Sequence, residues 1–349
     1  MIRLARLAQL KLSMTLAVLL LSIIFTIFLA VLMAIFQLPL YFAVIGALFF
    51  ILIQYLIGPA VVRASTNLRY LEPSENPWLE STVKELAEKS GIPMPKLAIV
   101  PDKTPNAFVF GRTAKSATLA FHEGLLTQLN QGEVKGVIGH ELGHIKHKDY
   151  LVMTALSAIP LMAYIVARVS FEAARFGGRS DSKKKEGAAL WAAILAAAFF
   201  SYLVYIITQL TVLRLSRLRE HYSDAYSAYL TGDPRLLESA LTKITYGLSL
   251  SPNPPHGART FYIGDPAMAK LEFQRIVDRK EEYDLDKDGV LDERELELAM
   301  EKEAKSTWTT INSWFATHPP TFKRILLLRE IEKEMASGQY TAEKIYAHI

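Results

Sequence analysis

There is no cysteine among the 349 residues, which excludes disulfide bonds and any thiolate ligand to a metal. That absence selects no compartment. Neither sign of charge dominates: 39 basic side chains stand against 35 acidic ones, a formal net charge of +4, with an isoelectric point near 9.0. Much of this small basic excess lies beside hydrophobic segments. Anionic lipid head groups account for it, and nucleic acid is not an expected partner. A cleavable leader is not expected either, since the first apolar run is too long for one and no small-residue cleavage site follows it. What the chain has instead is apolar length. Hydrophobic residues make up 51% of it and its mean hydropathy is positive, the balance of a membrane protein.

Four runs carry that apolar content. Met14 to Phe36 follows the basic Arg3, Arg6 and Lys11 and contains no charge. It is long enough for the about 20 helical residues that cross a hydrocarbon core. A short link at Gln37-Leu38-Pro39 leads to Leu40 to Val62, so residues 1–62 read as a membrane hairpin with both ends cytoplasmic. Leu151 to Val169, interrupted by Pro160, and Ala188 to Leu210 form a second hairpin over 151–210. The link between them holds Arg168, Arg175, Arg179, Lys183, Lys184 and Lys185 against Glu172, Asp181 and Glu186. A basic link on the far side runs against the positive-inside tendency, but the first helix usually sets the orientation.

Residues 63–150 and 211–349 read as soluble. Asn76 to Ser90 is a helix with Pro77 at its start and Gly91 as its stop. Lys96 to Val100, Asn106 to Phe110 and Ala117 to Phe121 are short strands, followed by helices over Glu123 to Asn130 and Glu133 to Lys148. The second of these helices contains His140-Glu141-Leu142-Gly143-His144, an H-E-x-x-H pattern. Residues four apart share a helix face, so the two imidazoles can meet one metal, and Glu141 beside them is free to act as general base. Val134, Val137, Ile138, Leu142 and Ile145 give this helix an apolar side, and a buried helix carrying His, Glu and His needs a polar partner such as a metal.

Catalytic zinc commonly takes three protein ligands. The longer form of the motif, with a glycine and a third histidine, is absent: His147 and Tyr150 stand in those places. His147 reads as a helix-end residue, so the third ligand comes from elsewhere. In Ser216 to Ala225, Glu220 and Asp224 are four apart, so one carboxylate can bind metal while the other orients a histidine. A second motif lies in a charged segment, 267–305. Asp284-Leu285-Asp286-Lys287-Asp288-Gly289-Val290-Leu291-Asp292-Glu293-Arg294-Glu295 matches the twelve-residue EF-hand loop, with oxygen ligands at places one, three and five, glycine at six and glutamate at twelve. It predicts Ca²⁺ bound by Asp284, Asp286, Asp288, the Val290 carbonyl and Glu295, with Asp292 acting through water. No second copy accompanies it.

Together these pieces resemble the HtpX family of membrane-bound zinc metallopeptidases, relatives of the CAAX prenyl proteases. The matching stretches are Pro105-Asn106-Ala107-Phe108 with Gly111-Arg112, Gly124-Leu125-Leu126, the His140–His144 motif, Arg219-Glu220 with Asp224, and Thr317-His318-Pro319-Pro320 followed by Arg324-Ile325. The acidic segment before His318 is a departure from the family. The resemblance implies zinc held by His140, His144 and Glu220, Glu141 as the catalytic residue, and the strand of Asn106, Ala107, Phe108, Val109 and Phe110 as the edge on which a substrate backbone pairs. His318 and Arg324 are implied as stabilisers of the oxyanion. The expected architecture is mainly α, with four membrane helices and a zincin-like catalytic domain carrying a small sheet. The expected activity is endoproteolysis of misfolded or surplus membrane proteins in stress, at the cytoplasmic face of the inner, or plasma, membrane. A CAAX-type protease would need more spans, and a silent metal-binding scaffold would not need Glu141. Nothing in the sequence sets an oligomeric state.

Overall fold

A computed structural model of the chain describes residues 2–36, 39–177, 185–250, 262–264, 266–288, 293–338 and 340. The turn expected at Ser251 to Gly257, the link residues Arg179 to Lys184, and Val290 and Asp292 lie outside the described residues. The chain divides into two compact units. One comprises Lys11–Gly58 and Leu151–Leu215, the other Met1–Leu10, Pro59–Tyr150 and Ser216–Ile349.

The first unit is helical. It draws on α1 (Ile2–Phe36), α2 (Leu40–Thr66), α6 (Asp149–Gly177) and α7 (Lys185–Thr231), the four described helices long and apolar enough to cross a membrane. Phe28 and Leu32 of α1 are buried with Ala163 of α6 and with Ala197 and Val204 of α7. Alanine at these crossings lets the backbones approach, the usual device where lipid removes the hydrophobic drive. Elsewhere the same helices leave large apolar side chains uncovered, among them Ile45, Leu48 and Phe49 of α2, which suits lipid and not water. Pro160 does not interrupt its run: α6 passes through it as one helix. Proline is tolerated in membrane helices because neighbouring groups satisfy the freed backbone.

The second unit sets a small sheet against helices. Its strands are β1 (Arg69–Tyr70), β2 (Lys96–Val100), β3 (Ala107–Phe110) and β4 (Thr118–His122), in the order β1-β2-β4-β3. β2 and β4 run parallel and the other pairs antiparallel. The two-residue β1 carries no alternation that a sequence pattern could reveal. α3 (Pro77–Ser90) starts where Asn76 accepts the Leu79 N–H and stops at Gly91, whose φ of 67° is the left-handed region that glycine favours. After α4 (Glu123–Gln128), the reciprocal Asn130–Glu133 capping box opens α5 (Gln131–Lys146). The remaining helices are α8 (Pro234–Leu250), α9 (Pro266–Asp278), α10 (Lys280–Tyr283), α11 (Glu293–Ala304), α12 (Thr307–Ser313) and α13 (Thr321–Ala336).

One core joins α3, the sheet, α5, the end of α7, α8 and α13, with Leu86, Phe121, Ile138, Leu142, Leu237 and Leu328 all fully enclosed. Each such side chain contributes about 1.5–3 kcal/mol relative to exposure. Two glycines decide how closely α5 meets α7. A Cβ on Gly139 would lie 2.8 Å from Ser227 Oγ, and one on Gly143 would lie 3.1 Å from Ser223 Oγ. Their absence of a side chain brings the H-E-x-x-H helix against the turn of α7 that follows Glu220.

Candidate metal centre

His140 and His144 project from one face of α5 with their ring centroids 4.8 Å apart, edge to face. Their Nε2 atoms face each other at 3.2 Å. Glu220 of α7 closes the group, with Oε2 3.5 Å from His140 Nε2 and Oε1 3.4 Å from His144 Nε2. The three ligand atoms fall within 4.8 Å of one another. His140 and Glu220 are almost fully buried, while the His144 side chain keeps 17% of its surface, so the group opens on the His144 side.

Each imidazole is oriented from behind. His140 Nδ1 lies 3.0 Å from Asp224 Oδ1, and His144 Nδ1 lies 2.7 Å from Asp149 Oδ2. A carboxylate at Nδ1 fixes the ring proton there and leaves the Nε2 lone pair facing forward. Two such lone pairs at 3.2 Å repel unless a cation or a proton sits between them. Glu220 Oε2 points to the same place and, among the described residues, is a buried oxygen with no hydrogen-bond partner. Two imidazole nitrogens and one carboxylate are a donor set that fits zinc, which takes His₂Glu in catalytic sites.

The orienting carboxylates are themselves held. Arg324, in α13, places Nε 2.8 Å from Asp224 Oδ2 and Nη2 2.7 Å from Asp224 Oδ1, and its Nη1 donates to the Ile263 carbonyl. Arg219 donates through Nη2 to Asp149 Oδ1 and to the His147 carbonyl. Asp149 was not legible as a site residue. It opens α6 just past Lys148, whose φ is 55°, and its Oδ2 meets His144 Nδ1 there. The left-handed residue is the only local signal, and lysine does not announce it. His147 caps the C-terminus of α5 and sets its ring edge-on against Tyr222, centroids 4.0 Å apart.

Burial alone would lower the pKa of both ligand imidazoles. For His140 the Asp224 and Glu220 carboxylates outweigh it, and for His144 the Asp149 and Glu220 carboxylates do, so both are raised. Glu141 is 3% exposed, and burial raises its carboxyl above the usual range against the pull of His140 and His144. Burial pushes the His147 imidazole down to about 4. His318, from the stretch between α12 and α13, is buried with Nε2 3.8 Å from Glu220 Oε1 and Nδ1 2.9 Å from Thr317 Oγ1.

Among the described residues β3 is an edge strand that pairs with β4, Ala107 opposite Phe121 and Phe110 opposite Thr118. Asn106 precedes it and turns its side chain inward, accepting the Ile263 N–H at 2.9 Å. In the acidic loop, Asp284, Asp286 and Glu295 bring ligand oxygens within 4.8 Å of one another. Glu295 Oε1 accepts the Leu285 N–H at 2.5 Å and the Asp286 N–H at 3.3 Å. The Asp288 N–H donates to Asp286 Oδ1 at 3.1 Å.

The family model of peptidase family M48 matches residues 73–332. A protease HtpX homologue of Methanothermobacter thermautotrophicus is 39% identical over 211 residues, 60% of this chain and 75% of the relative. Another, of Aeropyrum pernix, is 33% identical over 303 residues, 84% of this chain and 87% of the relative. Among solved structures, that of Ste24p from S. mikatae aligns over 92% of this chain and 67% of its own, at 15% identity and a TM-score of 0.44.

Proposed function

The chain belongs to peptidase family M48 and is a multi-pass membrane zinc metallopeptidase; from that premise we propose how its residues divide the work. His140, His144 and Glu220 hold the metal. Bound there, zinc supplies Lewis-acid polarisation of the scissile carbonyl and lowers the pKa of water. Glu141 takes the proton of the attacking water and hands it to the leaving amine. A carboxyl raised by burial suits that exchange, because general bases work best with a pKa near the operating pH. His318 donates to the oxyanion as it forms. Arg324 acts from behind: its nitrogens are committed to Asp224 and the Ile263 carbonyl, so it keeps the ligand pair aligned.

The single observation carrying this reading is the pair of Nε2 atoms facing each other at 3.2 Å beside a buried carboxylate oxygen that has no hydrogen-bond partner among the described residues. A substrate backbone pairs with β3 on the side away from β4, along Ala107, Phe108, Val109 and Phe110, as an added strand. The substrates are misfolded or surplus membrane proteins, cut during stress. Arg3, Arg6 and Lys11 put the N-terminus, and with it the catalytic domain assembled from 63–150 and 211–349, on the cytoplasmic side of the plasma membrane. The loop from Asp284 to Glu295 takes one Ca²⁺ as a structural staple, through Asp284, Asp286, Asp288, the Val290 carbonyl and Glu295, with Asp292 acting through water. The test is zinc content together with cleavage of casein or a membrane substrate, wild type beside Glu141→Gln. A zinc-loaded wild type without peptidase activity on either substrate rules the mechanism out.

A further inference from the structure

A hydrogen-bonded chain enters the metal centre from the sheet through the two backbone groups of a single residue. Ile263 lies shortly before α9, and both its backbone groups are taken by side chains. Its N–H donates to Asn106 Oδ1 at 2.9 Å, and its carbonyl accepts from Arg324 Nη1. Asn106 is 1% exposed and is gripped on the sheet side twice. Its own carbonyl accepts the His122 N–H at 2.9 Å, and its Nδ2 faces His122 Nε2 at 3.4 Å. The Ile263 peptide is thereby anchored to the β3–β4 pair.

Arg324 Nη1 stands between two acceptors. It bonds the Ile263 carbonyl and stays 3.6 Å from Glu220 Oε2, the oxygen that has no hydrogen-bond partner among the described residues. A carboxylate is the stronger acceptor for a guanidinium, because in a buried place the opposite charges attract more than a charge and a neutral carbonyl do. A shift of less than about 1 Å would bring Nη1 to the usual 2.7–2.9 Å of such a bond. The Ile263 carbonyl holds Nη1 on its own side, while Asp224 holds Nε and Nη2. If that peptide relaxes, Arg324 closes on Glu220 and competes with the metal for its oxygen.

We propose that Asn106 is a positioning residue for the metal centre: by fixing the Ile263 peptide it keeps Arg324 off Glu220 and leaves that carboxylate to the metal. The inference rests on reading Glu220 as a metal ligand. It also gives Asn106 a task other than pairing with substrate, because its side-chain oxygen is taken up by the Ile263 N–H.

The experiment measures zinc affinity of the full-length, detergent-solubilised protein by competition with a chromophoric chelator, with thermal unfolding recorded alongside. Asn106→Leu removes the acceptor at similar size and is expected to weaken zinc binding about 10–100-fold, the range for partners behind metal ligands. Asn106→Asp keeps an oxygen for the Ile263 N–H and is expected to retain wild-type affinity. In an Arg324→Met background Asn106→Leu is expected to cost nothing further, because no guanidinium is left to capture Glu220. A purely structural role would lower the unfolding temperature of both Asn106 variants and give additive losses with Arg324→Met. Should Asn106→Leu fail to fold, Asn106→Asp decides: a tenfold loss of zinc affinity there overturns the proposal. Glu220→Gln serves as the control for the underlying reading. Wild-type zinc affinity in Glu220→Gln refutes the ligand assignment itself, whatever the Asn106 variants do.

Discussion

Two groups of side chains in this protein can hold a cation, and they are built in opposite ways. At His140, His144 and Glu220 the ligand atoms come from two helices, and each imidazole is braced from behind, by Asp224 and by Asp149. Those braces are braced in turn, by Arg324 and Arg219. The acidic loop keeps its candidate ligands within a dozen residues, and two of its carboxylates, Glu295 and Asp286, accept neighbouring backbone N–H groups. Asp286 is exposed. The Asp288 N–H favours its charge, yet partial desolvation and the nearby Asp288, Glu295 and Asp284 carboxylates raise its pKa. A braced site is organised before its ion arrives. A loop of mutually repelling carboxylates is organised by its ion. Substitutions should therefore act by different routes in the two places.

The largest effect expected is at Glu141. Glu141→Gln should keep zinc and fold while the catalytic rate falls about 10²–10⁴-fold, the usual contribution of a positioned acid or base. Metal analysis and a peptide-cleavage assay on the same preparation check it. Activity within tenfold of wild type would remove Glu141 from the mechanism. The braces come next. Asp149→Asn and Asp224→Asn should each weaken zinc binding about 10–100-fold, whereas Asp288→Asn in the loop should leave zinc untouched. Equal zinc loss in Asp288→Asn would break the contrast between the two groups.

How much of the site could be read from the sequence follows the same division. The loop is contiguous, so its ligand spacing is legible outright. Of the metal centre, His140, Glu141 and His144 were legible because a helix puts residues four apart on one face. The structure brings Glu220 and Asp224 to that face, and the docking of α7 rests on Gly139 and Gly143, whose meaning emerges only when the serines opposite them are known. Asp149 depends on a left-handed lysine, and Ile263 contributes through its backbone, to which sequence is blind. The four apolar runs and the start and stop of α3 were legible because hydrocarbon thickness and capping chemistry act locally. Sheet order was not, since parallel β2 and β4 are joined by non-local pairing.

Acidification should separate the two groups by a smaller margin. In the metal-free protein the His140 and His144 imidazoles are raised above the ordinary value of 6.5 because nearby carboxylates outweigh burial. The metal binds only the deprotonated rings. A raised pKa keeps the competing proton in place to higher pH, so zinc affinity rises with pH until it passes those raised values. The rings are 3.2 Å apart and resist holding two charges, so about one proton is exchanged, roughly tenfold in affinity per pH unit. Chelator competition at pH 6.5, 7.5 and 8.5 measures this. A flat profile across that interval contradicts it.

Calcium removal should have the smallest effect, because the arms of the loop are fastened without it. Glu303 of α11 is fully buried and accepts from Arg275 and Arg279 and, at 2.6 Å, from the Tyr283 hydroxyl. Glu272 of α9 accepts the Thr321 N–H at 3.0 Å, at the start of α13, and Met300 of α11 packs on Phe322 and Ile325 of the same helix. The helix that carries Arg324 is thus docked to the insert by contacts that involve none of the loop carboxylates. An ion at Asp284, Asp286 and Glu295 has the loop to order and little else. At ten times its dissociation constant it adds about 1.4 kcal/mol, a modest rise in unfolding temperature that Glu295→Gln should abolish. Peptidase activity should change less than about twofold, the size of an effect confined to the loop. Calcium titrated into protein dialysed free of it, with zinc held constant, tests both parts. A tenfold gain in activity on adding calcium would mean that the loop moves α13 after all, and that the Glu272 bond and the Met300 packing do not fix it.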